Sequence, residues 1–246
     1  MKKLIYSLFI GASVVCMPSC MEVDNFDEPD AHFTGRIIDS VTGENILADQ
    51  GECHVRIWEK SFKENPNPQD IPVKQEGTFN NTKLFNGTYD VVPEGAWWPA
   101  DTIRIGIGGK VTENFEVTPY LRFSEYELTL TDPDSIQVSC RFEGTPAPEG
   151  MSYPTILDIR PFLSMNQFCG AGNCLSYYSP LEQYKKTINR TWEKLNKLED
   201  GKSEVYSFKV WVKPGYKYSV RMGARVKDTF QKYNYTEIKE IEIPSN

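Results

Sequence analysis

The sequence predicts an all-β protein built from two β-sandwich domains. Apolar and polar residues alternate in short runs from residue 31 towards the C-terminus, and glycine, proline, asparagine and aspartate separate these runs. Alternation with a period of two places one face of each strand in a core and the other face in solvent. A chain of 246 residues is long enough for one or two such domains.

The first predicted domain covers residues 31–118. Its first strand and turn read Thr34-Gly-Arg-Ile-Ile-Asp-Ser-Val-Thr-Gly-Glu44, and later strands contain Gly77-Thr-Phe79 and Leu84-Phe-Asn-Gly-Thr-Tyr-Asp-Val91. These motifs resemble the carboxypeptidase-regulatory-like family, whose sandwich is of the transthyretin (prealbumin) type. In that family a core aromatic residue pairs with a tight turn into the next strand. The resemblance therefore implies a transthyretin-like sandwich here.

The second predicted domain covers residues 119–246 and follows the joint at Thr118-Pro119. Its strands continue the alternating pattern, and Pro214-Gly-Tyr-Lys-Tyr-Ser-Val-Arg-Met-Gly-Ala224 resembles the fibronectin type III consensus. The resemblance implies an Ig/fibronectin III-like sandwich. It also implies that the hydroxyl of Tyr218 returns to nearby backbone as a tyrosine corner.

One segment of the second domain departs from the strand pattern. Ser179-Pro-Leu-Glu182 is a capping box with proline at the first helical position. Apolar residues then recur at helical spacing; they are Leu181, Tyr184, Ile188, Trp192, Leu195 and Leu198. The pattern predicts a helical insertion on the second sandwich. A strand through residues 187–192 is the alternative.

The N-terminus predicts export and lipidation. Lys2 and Lys3 precede an apolar run that is too short to span a bilayer. Lipoprotein processing needs a small residue before the acylated cysteine, and Ser19 gives this to Cys20. We therefore predict a lipoprotein signal peptide over residues 1–19 and an acidic tether over residues 20–30, with an ordinary cleaved signal peptide as the alternative. Acidic residues behind the lipidated cysteine resemble the surface-export signal of Bacteroidetes lipoproteins.

The other cysteines divide into two kinds. Cys53 and Cys140 lie on the inward faces of predicted strands in different domains, where they serve as small core residues. Cys169-Gly-Ala-Gly-Asn-Cys174 is a glycine-rich loop that can fold back on itself. Export permits disulfides, so we predict one local disulfide between Cys169 and Cys174.

Composition and motifs argue against catalysis and against nucleic acid as a partner. The formal net charge is −7, and removal of Lys2 and Lys3 makes it more negative, whereas nucleic-acid binding depends on neutralising phosphates. The chain has two histidines, and neither His32 nor His54 is spaced as a catalytic base or a metal ligand. We predict neither an enzyme nor a cofactor or metal site.

Aromatic residues in predicted loops are the remaining functional signal. Trp97 and Trp98 lie in Glu94-Gly-Ala-Trp-Trp-Pro99, and Tyr177 and Tyr178 follow the cysteine loop. Flat aromatic faces suit sugar rings, so these four residues are candidate ligand-binding residues. The alternative is that they bury the seam between the domains or contact a partner protein. His54, Arg56 and Trp58 face outward on one predicted strand and can extend either surface.

The whole layout resembles an uncharacterised Bacteroidetes family of two-domain surface lipoproteins, whose members are often encoded beside starch-utilisation-type glycan uptake systems. The resemblance implies an accessory protein that is lipid-anchored at the outer membrane and cell surface and binds glycan without catalysis. The alternative is a scaffolding subunit that docks on outer-membrane transporter components and binds no ligand. An exposed, coplanar Trp97/Trp98 pair favours the first hypothesis, and a pair buried between the domains favours the second.

Overall fold

The computed structural model describes residues 28–176 and 182–245, and their regular structure is almost entirely β. The predicted all-β fold class is therefore confirmed. The predicted signal peptide over residues 1–19 and the predicted acylation site Cys20 lie outside the described residues. Within the described part of the chain, no helix has the length and apolar character needed to cross a bilayer.

The N-terminal half, residues 28–118, consists of two sheets. Its described strands are β1 (Ala31–Asp39), β2 (His54–Glu59), β3 (Gln69–Pro72), β4 (Thr78–Leu84), β5 (Gly87–Glu94), β6 (Ile103–Ile107), β7 (Lys110–Thr112) and β8 (Phe115–Val117). In one sheet, β1 pairs antiparallel with β4 and parallel with β7 and β8. The other sheet has the antiparallel order β3-β2-β5-β6. The inner faces of these sheets enclose one hydrophobic core.

The C-terminal half, residues 119–245, also has two sheets around a core. Its described strands are β9 (Leu121–Asp132), β10 (Ser135–Gly144), β11 (Ile156–Ser164), β12 (Lys186–Arg190), β13 (Tyr206–Trp211), β14 (Lys217–Val226), β15 (Tyr233–Tyr235) and β16 (Lys239–Glu242). One sheet has the order β13-β10-β9 and the other β12-β11-β14-β15, with β16 also paired to β14. Division of the chain into two independent domains at residue 118 stays a prediction.

Strand parity places the core cysteines as the sequence predicts. On β10, Ile136, Val138 and Cys140 are fully buried in the C-terminal core. Cys53, just before β2, is buried in the N-terminal core. Tyr218 agrees with the fibronectin type III resemblance, because its hydroxyl lies 3.2 Å from both the backbone nitrogen and the carbonyl oxygen of Lys213.

The predicted α-helix after residue 179 is wrong. The described part of this segment contains a 3-10 turn at Glu182–Tyr184, strand β12 and a second 3-10 turn at Trp192–Lys194. Strand β12 pairs antiparallel with β11, so the sheet edge satisfies its backbone groups and a helix would leave that edge open. Tyr184, Ile188, Trp192 and Leu195 still pack on the C-terminal core, whereas Leu198 is exposed. The ring of Trp192 lies 6.0 Å from that of Phe142. The strand alternative matches β12.

Candidate functional site

Trp97 and Trp98 lie where the two halves meet, which we call the seam, and point into different cores. Trp97 is 3% exposed in the N-terminal core, and Trp98 is 5% exposed in the C-terminal core. Their segment pairs with the linker, because Trp98 N donates to Thr118 O and Tyr120 N donates to Ala96 O. Neighbouring side chains of an extended segment point in opposite directions, which explains the split. The structure thus corrects the expectation of an exposed, sugar-stacking pair.

Polar atoms of both indoles are satisfied inside the cores. Trp97 Nε1 donates to Pro93 O at 3.2 Å, and Trp98 Nε1 donates to Thr145 Oγ1 at 3.0 Å. Thr145 Oγ1 in turn donates to Pro119 O at 2.6 Å. Trp98 therefore fastens the seam with a hydrogen bond as well as with its buried area, whereas the hydrogen bond of Trp97 stays within the N-terminal half.

Gly95 allows the tryptophan loop to close. A Cβ atom at this position would lie 2.3 Å from the Trp97 ring and 2.7 Å from Cys53 Sγ. Both neighbours are buried in the N-terminal core and have no room to retreat. A glycine is therefore required where the chain passes over Trp97.

The glycine-rich loop 169–174 also reaches across the seam. Asp49 of the N-terminal half is buried, and its Oδ2 accepts a hydrogen bond from Gly172 N at 2.5 Å. Its Oδ1 accepts a second hydrogen bond from Asn173 Nδ2 at 2.9 Å. The loop is thus a polar docking element, which its glycine content alone did not indicate.

The disulfide predicted within this loop is not formed in the structure. Cys169 and Cys174 are both thiols. Cys169 is fully buried, and its Sγ lies 3.3 Å from Phe162 O and 3.5 Å from Ser219 O. Because Cys169 Sγ turns into the core while Cys174 is half-buried, the loop is closed by hydrogen bonds instead.

Two more polar contacts cross the seam around Tyr235, and a cation–π contact links them. The buried Arg221 donates from NH2 to Ala48 O at 2.9 Å, and its guanidinium lies 3.7 Å from the centre of the Tyr235 ring. The Tyr235 hydroxyl donates to Glu52 Oε2 at 2.8 Å. Burial raises the pKa of both Glu52 and Tyr235. These contacts make the seam a mixed apolar and polar interface.

Asp39 and Arg122 join the halves at another edge of the seam. Arg122 Nε and NH2 donate to the two oxygens of Asp39 at 2.6 and 2.7 Å. Burial alone raises the pKa of Asp39, but hydrogen bonds from Arg122 and from the Val41 and Thr42 amides, with the charge of Arg122, hold the pKa below its usual value. This pair is therefore ionised at neutral pH.

A cleft of about 380 Å³ opens at the seam, and we call it the loop cleft. It lies between the loop after β5 and the turn that joins β14 to β15. Trp97, Tyr120 and Phe230 supply its aromatic lining, and Glu94 and Asp228 supply two carboxyl groups. The predicted tryptophan loop thus forms one wall of a cavity although its rings are mostly buried.

Glu94 is held by two side chains of β2. Its Oε2 lies 2.8 Å from His54 Nε2 and 3.0 Å from Arg56 NH1. Arg56 also makes a two-pronged contact with Asp70, at 2.8 and 3.1 Å. His54 and Arg56 therefore lie on the outward face of β2, as predicted, and they support the cleft rather than form it.

Asp228 is the second carboxyl group of the loop cleft. Burial raises its pKa, although hydrogen bonds from the Gln231 and Phe230 amides and from the Tyr120 hydroxyl oppose the shift. Gln231 N donates to Asp228 Oδ1 at 2.5 Å, and Gln231 has a positive φ of 50°. The ring of the half-buried Phe230 meets His54 edge-on, 6.4 Å between centres. The turn between β14 and β15 is thus held to Tyr120 on one side of the cleft and to His54 on the other.

A second cleft of about 380 Å³ at the seam offers a ligand fewer unpaired polar groups. Most of its polar groups are already paired: Asp39 binds Arg122, and Tyr126 Oη donates to Val220 O at 2.7 Å. Asn45 Oδ1 and Ser124 Oγ have no partner among the described residues, but both atoms are buried below the surface. The loop cleft is therefore the better candidate site.

Sequence reasoning reached only part of this site. It selected Trp97 but not Tyr120, Asp228 or Phe230, which come from the linker and from a turn more than a hundred residues further along the chain. An aromatic residue in a turn between two predicted strands is a signal that could have indicated Phe230. Tyr177 and Tyr178 lie outside the described residues. The described residues contain no group of three or more His, Cys, Asp or Glu placed to hold a metal ion.

Comparison with known proteins finds a similar family for residues 31–118 and a fold for the described chain. Residues 31–118 match the family "Protein of unknown function (DUF3823) N-terminal domain". A DUF3823 family protein from Bacteroides uniformis has 23% identity and a TM-score of 0.73, covering 88% of this chain and 100% of that chain. A DUF3823 family protein from Parabacteroides merdae has 19% identity and a TM-score of 0.64, covering 88% of this chain and 100% of that chain.

Another structure with this fold is named for a ligand class. It is a "putative carbohydrate binding protein" from Bacteroides uniformis, with 19% identity and a TM-score of 0.69, covering 87% of this chain and 99% of that chain. No curated protein matches the chain. At these identities the likeness shows the fold alone. Residues 31–118 are therefore similar to the DUF3823 N-terminal domain, and the described chain has the all-β fold of solved DUF3823 family structures.

Proposed function

We propose that this protein is a non-catalytic carbohydrate-binding accessory protein, lipid-anchored at the cell surface, with the loop cleft as its binding site. The observation that carries the proposal is the lining of the cleft of about 380 Å³, in which the half-buried ring of Phe230 lies beside two carboxyl groups and the nearly buried rings of Trp97 and Tyr120. Ligand sites are commonly concave, mostly apolar and provided with a few polar groups that orient the ligand.

The chemistry of a sugar ring suits such a lining. Its C–H face packs on aromatic rings, and its hydroxyl groups donate hydrogen bonds to carboxylates. Phe230 is half-buried, so part of its ring remains open to the cleft. The related fold of a "putative carbohydrate binding protein" supports this ligand class.

The proposed location rests on the N-terminal sequence. The short apolar run, Ser19 before Cys20 and the acidic residues of the tether support a lipid anchor and export to the outer surface of the outer membrane. Cys20→Ala should move the protein from the membrane fraction to the soluble fraction. Mass spectrometry should find the mature chain beginning at acylated Cys20; a mature chain that starts elsewhere would contradict the anchor.

A glycan array followed by calorimetry tests the binding site. Phe230→Ala removes an aromatic wall of the cleft, and loss of such an anchor commonly costs about 2 kcal/mol or more, roughly a thirtyfold weaker affinity. Phe85→Ala is the matched control, because Phe85 is 40% exposed and lies between β4 and β5, outside the cleft. Equal affinities for the two variants would rule out the cleft as the site.

A scaffolding subunit for outer-membrane transporter components is the second candidate function. The burial of Trp97 and Trp98 favours it, because the seam then serves to hold two sandwiches in one rigid arrangement. This function needs no glycan. A wild-type protein that binds no glycan on the array but co-purifies with outer-membrane transporter components would decide for the scaffold.

A further inference from the structure

The charges around the loop cleft indicate a ligand class, and this inference rests on the proposed function. We infer that the loop cleft selects uncharged sugars over acidic sugars, and that Glu94 is the side chain that accepts their hydroxyl hydrogen bonds. His54 and Arg56 are the positioning residues that hold Glu94.

The wall of the cleft is acidic. Among the described residues that line it, Glu94 and Asp228 are the carboxyl-bearing side chains and none is lysine, arginine or histidine. A uronate or sulfate group entering the cleft would lose water and meet like charge. Like charges brought together in a partly desolvated site oppose binding, so the wall disfavours an acidic ligand.

The two basic side chains that contact Glu94 are already engaged. Arg56 is shared between Asp70 and Glu94, and its side chain is 29% exposed on the outer side of β2. His54 Nε2 contacts Glu94 Oε2 and lies 3.7 Å from Asp70. An acidic ligand would have to break these contacts to gain a cation. The carboxylate of Glu94, whose side chain is 15% exposed, would then be left without its partner.

The arrangement of contacts at Glu94 leaves one oxygen for a ligand. The contacts from His54 and Arg56 both go to Oε2, and Oε1 makes no hydrogen bond to any described residue. The Glu94 side chain is 15% exposed, so water has little access to compete. An ionised carboxylate only accepts hydrogen bonds, and sugar hydroxyls supply the donors it requires.

Calorimetry on the full chain, in a detergent without a sugar headgroup, tests the inference. The probes are neutral oligogalactans and oligoglucans, each matched with its uronic acid counterpart. We expect the neutral member to bind at least tenfold more tightly. Glu94→Gln keeps the size of the side chain and removes its charge, so it should weaken neutral binding about tenfold and narrow the gap between neutral and acidic probes.

Asp90→Asn is the matched control. Asp90 lies on the same strand, four residues from Glu94 and therefore about 13 Å away, and it pairs with Arg104 at 2.7 Å outside the cleft. The Asp90→Asn substitution removes the same charge as Glu94→Gln and should leave the affinities for the neutral and the acidic probes unchanged. If Glu94→Gln fails to fold, Arg56→Gln replaces it, and this variant should weaken neutral binding while acidic probes stay excluded.

The outcomes separate the inference from the proposed function. Acidic probes that bind the wild type as tightly as neutral ones would overturn the ligand class while the cleft remains a glycan site. An Asp90→Asn variant that changes selectivity as much as Glu94→Gln would overturn the assignment of Glu94. Absence of binding to every probe, acidic and neutral, would overturn the proposed function itself.

Discussion

Two loops cross the seam by opposite physical means. The loop 94–99 buries two indole rings, one in each core, whereas the loop 169–174 hydrogen-bonds to the buried carboxylate of Asp49. Burial of an aromatic ring stabilises the fold with little demand on geometry. A buried carboxylate is costly unless its oxygens are satisfied, so it contributes only in one arrangement of the halves. The apolar loop thus supplies stability and the polar loop supplies orientation.

Truncation of a seam tryptophan gives the largest expected effect. Trp98→Ala removes a 5% exposed ring that packs on Tyr120 and Tyr153, so the free energy of unfolding should fall by about 3–5 kcal/mol. Trp98→Phe is the control that retains a ring and loses the hydrogen bond to Thr145. Denaturant unfolding measures both variants. A loss below about 1 kcal/mol for Trp98→Ala would show that the ring does not fasten the seam.

Removal of the Asp49 carboxylate tests how much the polar loop 169–174 contributes to stability. Asp49→Ala leaves Gly172 N and the Asn173 amide without their acceptor, which should cost about 2–3 kcal/mol. Asp49→Asn keeps one acceptor and should cost less. Hydrogen exchange should show faster exchange at Gly172 in both variants. Unchanged protection there would mean that the loop docks without Asp49.

A pH series separates the polar contacts further. Burial raises the pKa of Glu52 above its ordinary value of 4.5, so the folded state binds this proton more tightly than the unfolded state. The stability from the protonated carboxyl is complete below pH 4.5 and is lost as pH rises through the folded pKa. Glu52→Gln should therefore equal wild type at pH 4 and exceed it at pH 8, by roughly 1 kcal/mol. A Glu52→Gln variant that is less stable than wild type at pH 8 would contradict this prediction.

Thiol chemistry in the second loop has the smallest expected effect on stability. Because Cys169 Sγ lies between two core carbonyls, denatured and unreduced protein should show four thiols among Cys53, Cys140, Cys169 and Cys174. Counting with a chromophoric thiol reagent measures this number. A count of two thiols instead of four would support the disulfide between Cys169 and Cys174 that the sequence predicts. Cys174→Ser should change stability by less than about 0.5 kcal/mol, since Cys174 is only half-buried.

Local patterns and long-range contacts account for what the sequence could and could not predict. Strand parity placed Cys53 and Cys140 in separate cores, because alternation depends only on near neighbours. The helical spacing around Ile188 was misleading, since the open edge of β11 decided the outcome. The same limit applies to the loop cleft, which Glu94 and Asp228 both line although 134 residues of sequence separate them.

The direction of β1 sets how the molecule would stand on a membrane. Asp39 lies at the seam and Ala31 at the opposite end of the strand, about 26 Å away at the usual rise per residue. The lipid anchor proposed at Cys20 would therefore join the N-terminal half at the end of β1 that is remote from the seam. A ligand held in the loop cleft would then be separated from the anchor by the length of this strand as well as by the tether.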